Sequence, residues 1–476
     1  MIRRILIIFS YLLAGFVIIG GTLTLVAYGQ GYTYDFAHHR FVHRGLILLG
    51  STPSGAYITR DGVYTKHKTN RRDSYNPGTY SFKIDKAGYN PWYKTLTIEA
   101  GEVINARYII LLPLNLVKTT ASTATAGYAN VTPTTDHRSI AYSTAPTATD
   151  GAAVWTQALP SGKPTKIYTL PAATTTVPAE TIVGLEWSGD AGHLLIVSQA
   201  ATGKVYREVN ADGSNAVDLT DQYKQDFTGI QSLQFAPTDW HDLFWISSDG
   251  SLRRLDLNAQ TISSVLATGV SQFSFAATAD RVLYVDTTQL GQSLMSLQVH
   301  SPTQVARLIQ SLPKSPSYNV AYSSFQGTDE LVVIPSATHE ATAYSGIFGS
   351  SPVSTVVARY VDNASFSPDG HLVALYSSSN LVTYDLLLST PTDIENYQSP
   401  SLGAPLTSLS WFDDSHLVLH LGGQTVFSDF DGTNRVVLGN TVAGSAPFAS
   451  NDLKSDYTIQ ASGTTAQKLT NVVIRN

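Results

Sequence analysis

An apolar run without a single charge, Ile5 to Tyr28, follows directly after Arg3 and Arg4. At about 1.5 Å per helical residue it reaches roughly 36 Å, enough to cross a hydrocarbon core of about 30 Å with some tilt. Fourteen of its residues are Ile, Leu, Val or Phe. At about −0.3 to −0.6 kcal/mol each, they favour insertion by roughly 6 kcal/mol before the Gly, Ser and Thr costs. The run therefore predicts a transmembrane signal anchor over residues 1–28. Arg3 and Arg4 are expected to stay cytoplasmic, which makes the protein single-pass in the plasma membrane with its bulk, Gly29 to Asn476, extracytoplasmic. Ala27-Tyr28-Gly29 also has the small-x-small form of a cleavage site, so a removed signal peptide with mature protein beginning at Gln30 is the rival reading. A signal core usually holds only about 7 to 15 apolar residues, and this run is longer.

The remaining chain is long enough for two or three domains, since there are 476 residues in all. A hydrophobic content of 43% excludes both disorder and further membrane spans as general descriptions of it. The net charge of −6, with no block of like charges, argues against a nucleic-acid partner and against adhesion to anionic lipid. With no cysteine there are no disulfides, no thiol catalysis and no thiolate zinc sites. Thr, Ser, Tyr and Gly are plentiful and long helical periodicities scarce, which predicts an all-β chain after the span.

Residues 29–44 form a juxtamembrane segment in which Tyr32, Tyr34, Phe36 and Phe41 stand among His38, His39 and His43. His39 and His43 have i, i+4 spacing, but Arg40 and Arg44 flank them and no third ligand follows at a suitable distance. A strand near the membrane interface is expected rather than a metal site. From 45 to 113 the pattern is that of a small β-sandwich. Leu46 to Leu49 precedes the turn Thr52-Pro53-Ser54-Gly55, and Ala56 to Thr59 leads into Asp61-Gly62, a hairpin signal. After Pro77-Gly78, Tyr80, Phe82 and Ile84 alternate with Ser81, Lys83 and Asp85, and Leu96 and Ile98 repeat the period. The strings Gly45 to Gly62, Pro77-Gly78-Thr79-Tyr80, Gly88-Tyr89 and Gly101-Glu102 together resemble a PEGA domain. Ser54 replaces the glutamate of the name-giving tetrapeptide, and Tyr64 to Asn76 is longer and more basic than the family's usual turn. The resemblance implies a small sandwich found on extracytoplasmic proteins, often near an anchor, with no catalytic residues to carry over.

Residues 114–127 thin out to Thr, Ala and Ser and are expected to be a linker or a propeller-closing strand. Over 128–476 an apolar strand ending in an aromatic, a small turn with Asp, and another apolar strand recur every 40 to 50 residues or so. The clearest copies are Leu185 to Asp190, Leu233 to Asp239, Phe273 to Phe275, Ala364 to Gly370 and Leu409 to Asp414. Weaker ones lie at Val131 to Asp136, Ser324-Phe325 and Phe448 to Asp452. That period predicts four-stranded blades that close into a seven- or eight-bladed β-propeller. Phe366 to Leu372, Val209 to Gly213 with Leu219-Thr220, and Phe430 to Gly432 before Val436 to Leu438 resemble the WD-like repeats of TolB-type propellers, a resemblance that covers roughly residues 118 to 476. It implies the fold and is nearly silent on function.

The motifs with chemical meaning reduce to turns. Asp429 to Asn434 has alternate oxygens as a calcium loop does, but lacks that loop's further ligand and terminal Glu, and Asp-Gly between strands is what a hairpin needs. Asp249-Gly250 reads the same way. Ser188 to Gly192 is similar to a sialidase Asp-box yet occupies the blade position of Ser367 to Gly370. His339-Glu340 opens a zinc-protease pattern that fails at Ala343. No Gly-x-Ser-x-Gly elbow occurs. No catalytic, cofactor or metal residue is therefore expected, and the function class is a membrane-anchored extracytoplasmic binding or scaffold protein, not an enzyme. The partners are the membrane through the helix and an envelope protein or cell-wall glycan, with no nucleic acid. The alternatives are a TolB-like envelope assembly partner and a glycan-acting enzyme with paired carboxylates in the propeller mouth. A ligand face is expected where long connections gather, at Pro171 to Thr181, Thr220 to Thr228, Gln310 to Asn319 and Tyr397 to Leu406, with Ala145 to Gly151 and Ser336 to Ala343 beside them. Tyr223, Tyr318 and Tyr397 are its candidate contacts, and Tyr206 is expected inside a blade strand.

Overall fold

The computed structural model describes residues 2–29, 32–35, 39–146, 150–173, 178–227, 229–276, 278, 280–288, 291–300, 305–390, 393–442, 444–463 and 465–475. They divide into two compact units, Met1–Leu116 with Ile474–Asn476, and Val117–Val473.

In the first unit the apolar run is one helix, α1 (Ile2–Gly29), and no part of its Phe9–Ala27 stretch is buried against the rest of the chain. Strands β1 (Tyr32–Asp35) and β2 (Arg40–His43) then form a hairpin with Tyr32 opposite His43 and Tyr34 opposite Phe41. The His43 ring stacks on Tyr32 at 4.3 Å, so it serves the hairpin. Phe36 and His38 lie outside the described residues.

Seven strands follow: β3 (Gly45–Thr52), β4 (Tyr57–Arg60), β5 (Val63–Lys68), β6 (Arg71–Tyr75), β7 (Gly78–Asp85), β8 (Trp92–Ile98) and β9 (Val103–Ile110). They make two sheets, ordered β6-β3-β9 and β5-β4-β7-β8. The period-two pattern decides which face is dry. Ile47, Leu49, Ile58, Phe82, Ile84, Trp92, Ile98 and Ile109 meet in one core, each contributing about 1.5–3 kcal/mol of transfer free energy against the entropy of ordering the chain. Asp61 and Gly62 both take positive φ, 48° and 77°, as a two-residue hairpin turn demands. Gly45 is required by space: a Cβ there would lie 2.3 Å from Ile98 Cγ2 and 2.4 Å from the Glu99 carbonyl.

The second unit consists, among the described residues, of eight four-stranded sheets. Seven are continuous in sequence, at 129–169, 181–218, 230–262, 270–312, 318–359, 363–398 and 406–440, each an antiparallel meander. The eighth takes Phe448–Ala449, Ser455–Ala461 and Gln467–Val473 from the chain's end and its outer strand, β10 (Lys118–Ala124), from the region expected to be a linker or a propeller-closing strand, and it is the closing strand. Lys118 pairs with Val472 and Ala124 with Gln467. All eight strand-and-aromatic copies in the sequence prove to be innermost blade strands.

Neighbouring blades bury their faces against each other. Ala141 and Val154 of the first meet Leu194 and Ile196 of the second, and Leu372 and Ala374 of the sixth meet Leu417 and Leu419 of the seventh. Tyr457 and Leu469 of the eighth meet Ile140 and Tyr142 of the first, which closes the ring. The aromatics that end the inner strands also tie blades together: Trp187 Nε1 donates to the Thr132 carbonyl at 3.1 Å and Trp411 Nε1 to that of Ser365 at 3.0 Å. The unit is an eight-bladed propeller.

Candidate functional site

Four blades turn from their first to their second strand by the same device, a Ser or Thr hydroxyl donating to an Asp two residues on. Thr134 binds Asp136 at 2.7 Å, Ser188 binds Asp190 at 2.6 Å, Ser367 binds Asp369 at 2.7 Å and Ser450 binds Asp452 at 2.7 Å. The same hydroxyl accepts the N–H that starts the second strand, at Ser139, His193, Leu372 and Ser455. Hydrogen bonds from Thr134 and from Ser450 are the leading reason that the Asp136 and Asp452 carboxyls sit below the ordinary range. The Asp-box-like segment at Ser188 is thus a blade turn. In the calcium-like loop, Thr433 donates its N–H and hydroxyl to Asp431 at 3.2 and 2.6 Å and Asn434 Nδ2 binds Asp429 at 2.9 Å, so its oxygens are engaged within the loop. His339 pairs with Asp362 and Glu340 with Arg359, and these partners occupy both residues of the protease-like pattern. Among the described residues no group of three His, Asp or Glu side chains is placed to hold a metal ion.

Because each blade is an antiparallel meander, its middle hairpin and the connection to the next blade leave by the same rim. The described parts of the six long connections lie on that rim; 147–149, 174–177 and 228 lie outside the described residues. The strands shorten Gln310 to Asn319, Ser336 to Ala343 and Tyr397 to Leu406 to 313–317, 336–339 and 399–405. Tyr223 ends a one-turn helix, Leu219–Gln222, and is half-buried against Phe227 with ring centroids 5.6 Å apart. Tyr397 falls in the outer strand Asn396–Gln398 of the sixth blade, half-buried, edge-on to Phe430 at 5.0 Å. Tyr318 departs from the expectation. It is 6% exposed, packs in the core between the fourth and fifth blades, and its hydroxyl donates to Gln292 Oε1 and the Pro313 carbonyl. Its neighbours on the connection cover it, so it offers no contact area. The three tyrosines stand two blades apart and are not brought together. Tyr206 lies in the strand Gly203–Asn210 and is buried.

The opposite rim holds a feature the sequence did not announce. A cavity of about 370 Å³ opens between the eighth and first blades, lined by His137, Arg138, Asn451, Asp452, Tyr457 and Asn471 among others. Asn451 Nδ2 donates to the Asp136 carbonyl across it at 2.7 Å, while the buried Asn471 Oδ1 meets no donor among the described residues. Each lining residue reads in sequence as an ordinary turn or strand position, and only ring closure juxtaposes them.

Residues 44–110 match the family model described as PEGA domain. The sandwich is a PEGA domain. Its β5 and β6 strands arise from the basic stretch around Tyr64 to Asn76. No curated protein matches the chain. Among solved structures, the chain is similar to the C-terminal WD40 domain of Sif2, at 12% identity and a TM-score of 0.49, over 76% of this chain and 99% of that one. It is also similar to the Dos1 propeller, at 12% and 0.47, over 74% and 94%. An oligogalacturonate lyase in complex with manganese is similar at 12% and 0.43, over 75% and 99%.

Proposed function

We propose that the chain is a membrane-anchored binding or scaffold protein that presents its propeller outside the cytoplasm. The observation that carries this reading is the order of parts: one apolar helix, a PEGA domain, then a ring of blades whose long connections share a rim. Loops on a rigid ring are where binding side chains collect, and a half-buried tyrosine presents a flat face with a polar tip. In this reading an envelope protein or a cell-wall glycan contacts that rim at Tyr223 and Tyr397. Affinity capture from intact cells reports which class of ligand is retained. Tyr223→Ala and Tyr397→Ala are expected to lower retention about thirtyfold or more between them, at roughly 1 kcal/mol or more for each half-buried aromatic anchor. Tyr206→Ala controls for loss through unfolding. Full retention by the double variant overturns the rim assignment.

A further inference from the structure

The whole-chain charge hides a reversal of sign. Residues 44–110 carry ten Lys and Arg against five Asp and Glu, whereas residues 111–476 carry seventeen against thirty. Strand pairing gathers part of the basic excess on one sheet face. Tyr64, Thr59, Lys83 and Tyr93 stand in a single row across β5, β4, β7 and β8, with Lys68, Tyr57 and Asp85 in the next. The core takes the alternate residues Ile58, Phe82, Ile84 and Trp92, which leaves this row to solvent. Tyr57, Tyr64 and Tyr93 are 45%, 47% and 54% exposed. The Lys68 ammonium lies 4.7 Å from the Tyr57 ring centroid and that of Lys83 lies 5.9 Å from Tyr93, with Asp85 3.5 Å from Lys83. Tyrosines with polar tips interleaved with lysines on a flat sheet suit an interface that is part apolar and densely anionic.

The chain also enters the PEGA domain close to where α1 ends. Tyr32 comes three residues after Gly29, and its partner across the β1–β2 hairpin is His43, so the PEGA domain starts within about 20 Å of the helix terminus. We propose that the Tyr57–Tyr64–Lys68–Lys83–Tyr93 face of the PEGA domain lies on the anionic lipid headgroups of the bilayer that α1 spans. The proposal rests on the anchor reading. Lipid is favoured over a nucleic acid or a soluble polyanion because the surface is an exposed sheet face and the chain tethers the PEGA domain beside the span.

The full chain is placed in nanodiscs of neutral phosphatidylcholine and in discs with about 30% phosphatidylglycerol, and the acetylation rates of single lysines are read by mass spectrometry. Lys68 and Lys83 are expected to react about fivefold or more slowly in the anionic discs, as a stabilisation of about 1 kcal/mol per basic side chain implies. Lys204 and Lys454, on the propeller, keep their rates and report an intact fold. About 0.5 M salt, or Tyr64→Ser with Tyr93→Ser, restores the fast rates. Equal rates in the two discs overturn the proposal. So does shielding by a single-stranded oligonucleotide or soluble polyphosphate when anionic discs give none. Incorporation into discs scores the anchor separately: a chain that fails to enter neutral discs yet is shielded by anionic ones loses the anchor and keeps the face.

Discussion

Glu186 shows how a neighbouring blade sets the chemistry of a residue. It lies on the inner strand of the second blade and accepts the Phe235 N–H of the third at 3.0 Å. Burial nevertheless pushes its carboxyl up to about 7, the hydrogen bond opposing the shift only in part. Below its unfolded value, near 4.5, both states are protonated and nothing is lost. As pH rises from there towards 7, the unfolded chain ionises first, so stability falls through that window and then levels off. Glu186→Gln keeps the acceptor and removes the charge. We expect no change in stability at pH 4 and a gain on the order of 2 kcal/mol at pH 8, read by urea denaturation at both pH values. An equal effect at the two would contradict this origin. Asp456 and His420 belong to the same class: burial drives the Asp456 carboxyl well up and the His420 imidazole down to about 4, which favours the neutral form of each. In the sequence Leu185-Glu186-Trp187 is a blade strand and nothing more, because the partner that buries Glu186 lies some fifty residues away.

The element on which the ring depends is among the plainest in composition. Strand β10 reads Lys-Thr-Thr-Ala-Ser-Thr-Ala, with no large apolar side chain, yet it supplies the outer strand of the eighth blade. Its partner Gln467–Val473 would otherwise be an unpaired edge. Ala124 and the following Tyr128 also enter the cluster that joins the last blade to the first. A fragment beginning at Asn130 should therefore be less stable than one beginning at Val117, by about 3–5 kcal/mol or more, the scale of losing one large buried side chain. Matching urea midpoints for the two fragments would show that the ring closes without β10. The inner strands were more legible. Their terminal aromatics, from Trp187 to Trp411, recur because they fill the apolar gaps between neighbouring blades.

At the scale of the molecule a basic PEGA domain and an acidic propeller share one chain, and an average over 476 residues conceals both. If the amino end is inside, as Arg3 and Arg4 imply, protease added to intact cells should remove the propeller and leave only a short fragment containing α1. Protection of residues beyond Tyr28 while the membrane is sealed would reverse the topology. A mature chain starting at Gln30 would replace the anchor by a cleaved signal.

The sequence alone determined the apolar span, the PEGA strings, the blade period and the Asp turns, because each is a pattern along the chain that needs no contact between distant strands. Asp61-Gly62 makes its hairpin, and Ser188 meets Asp190, whatever lies elsewhere in the chain. Tertiary structure decided the rest. Eight rather than seven blades, the cavity between Arg138 and Asn471, the burial of Tyr318 and the gathering of Tyr64, Lys83 and Tyr93 on one face all require distant strands to meet. The closing contact pairs Thr123 with Lys468, and no local pattern announces a register set by the angle at which eight twisted sheets complete a circle.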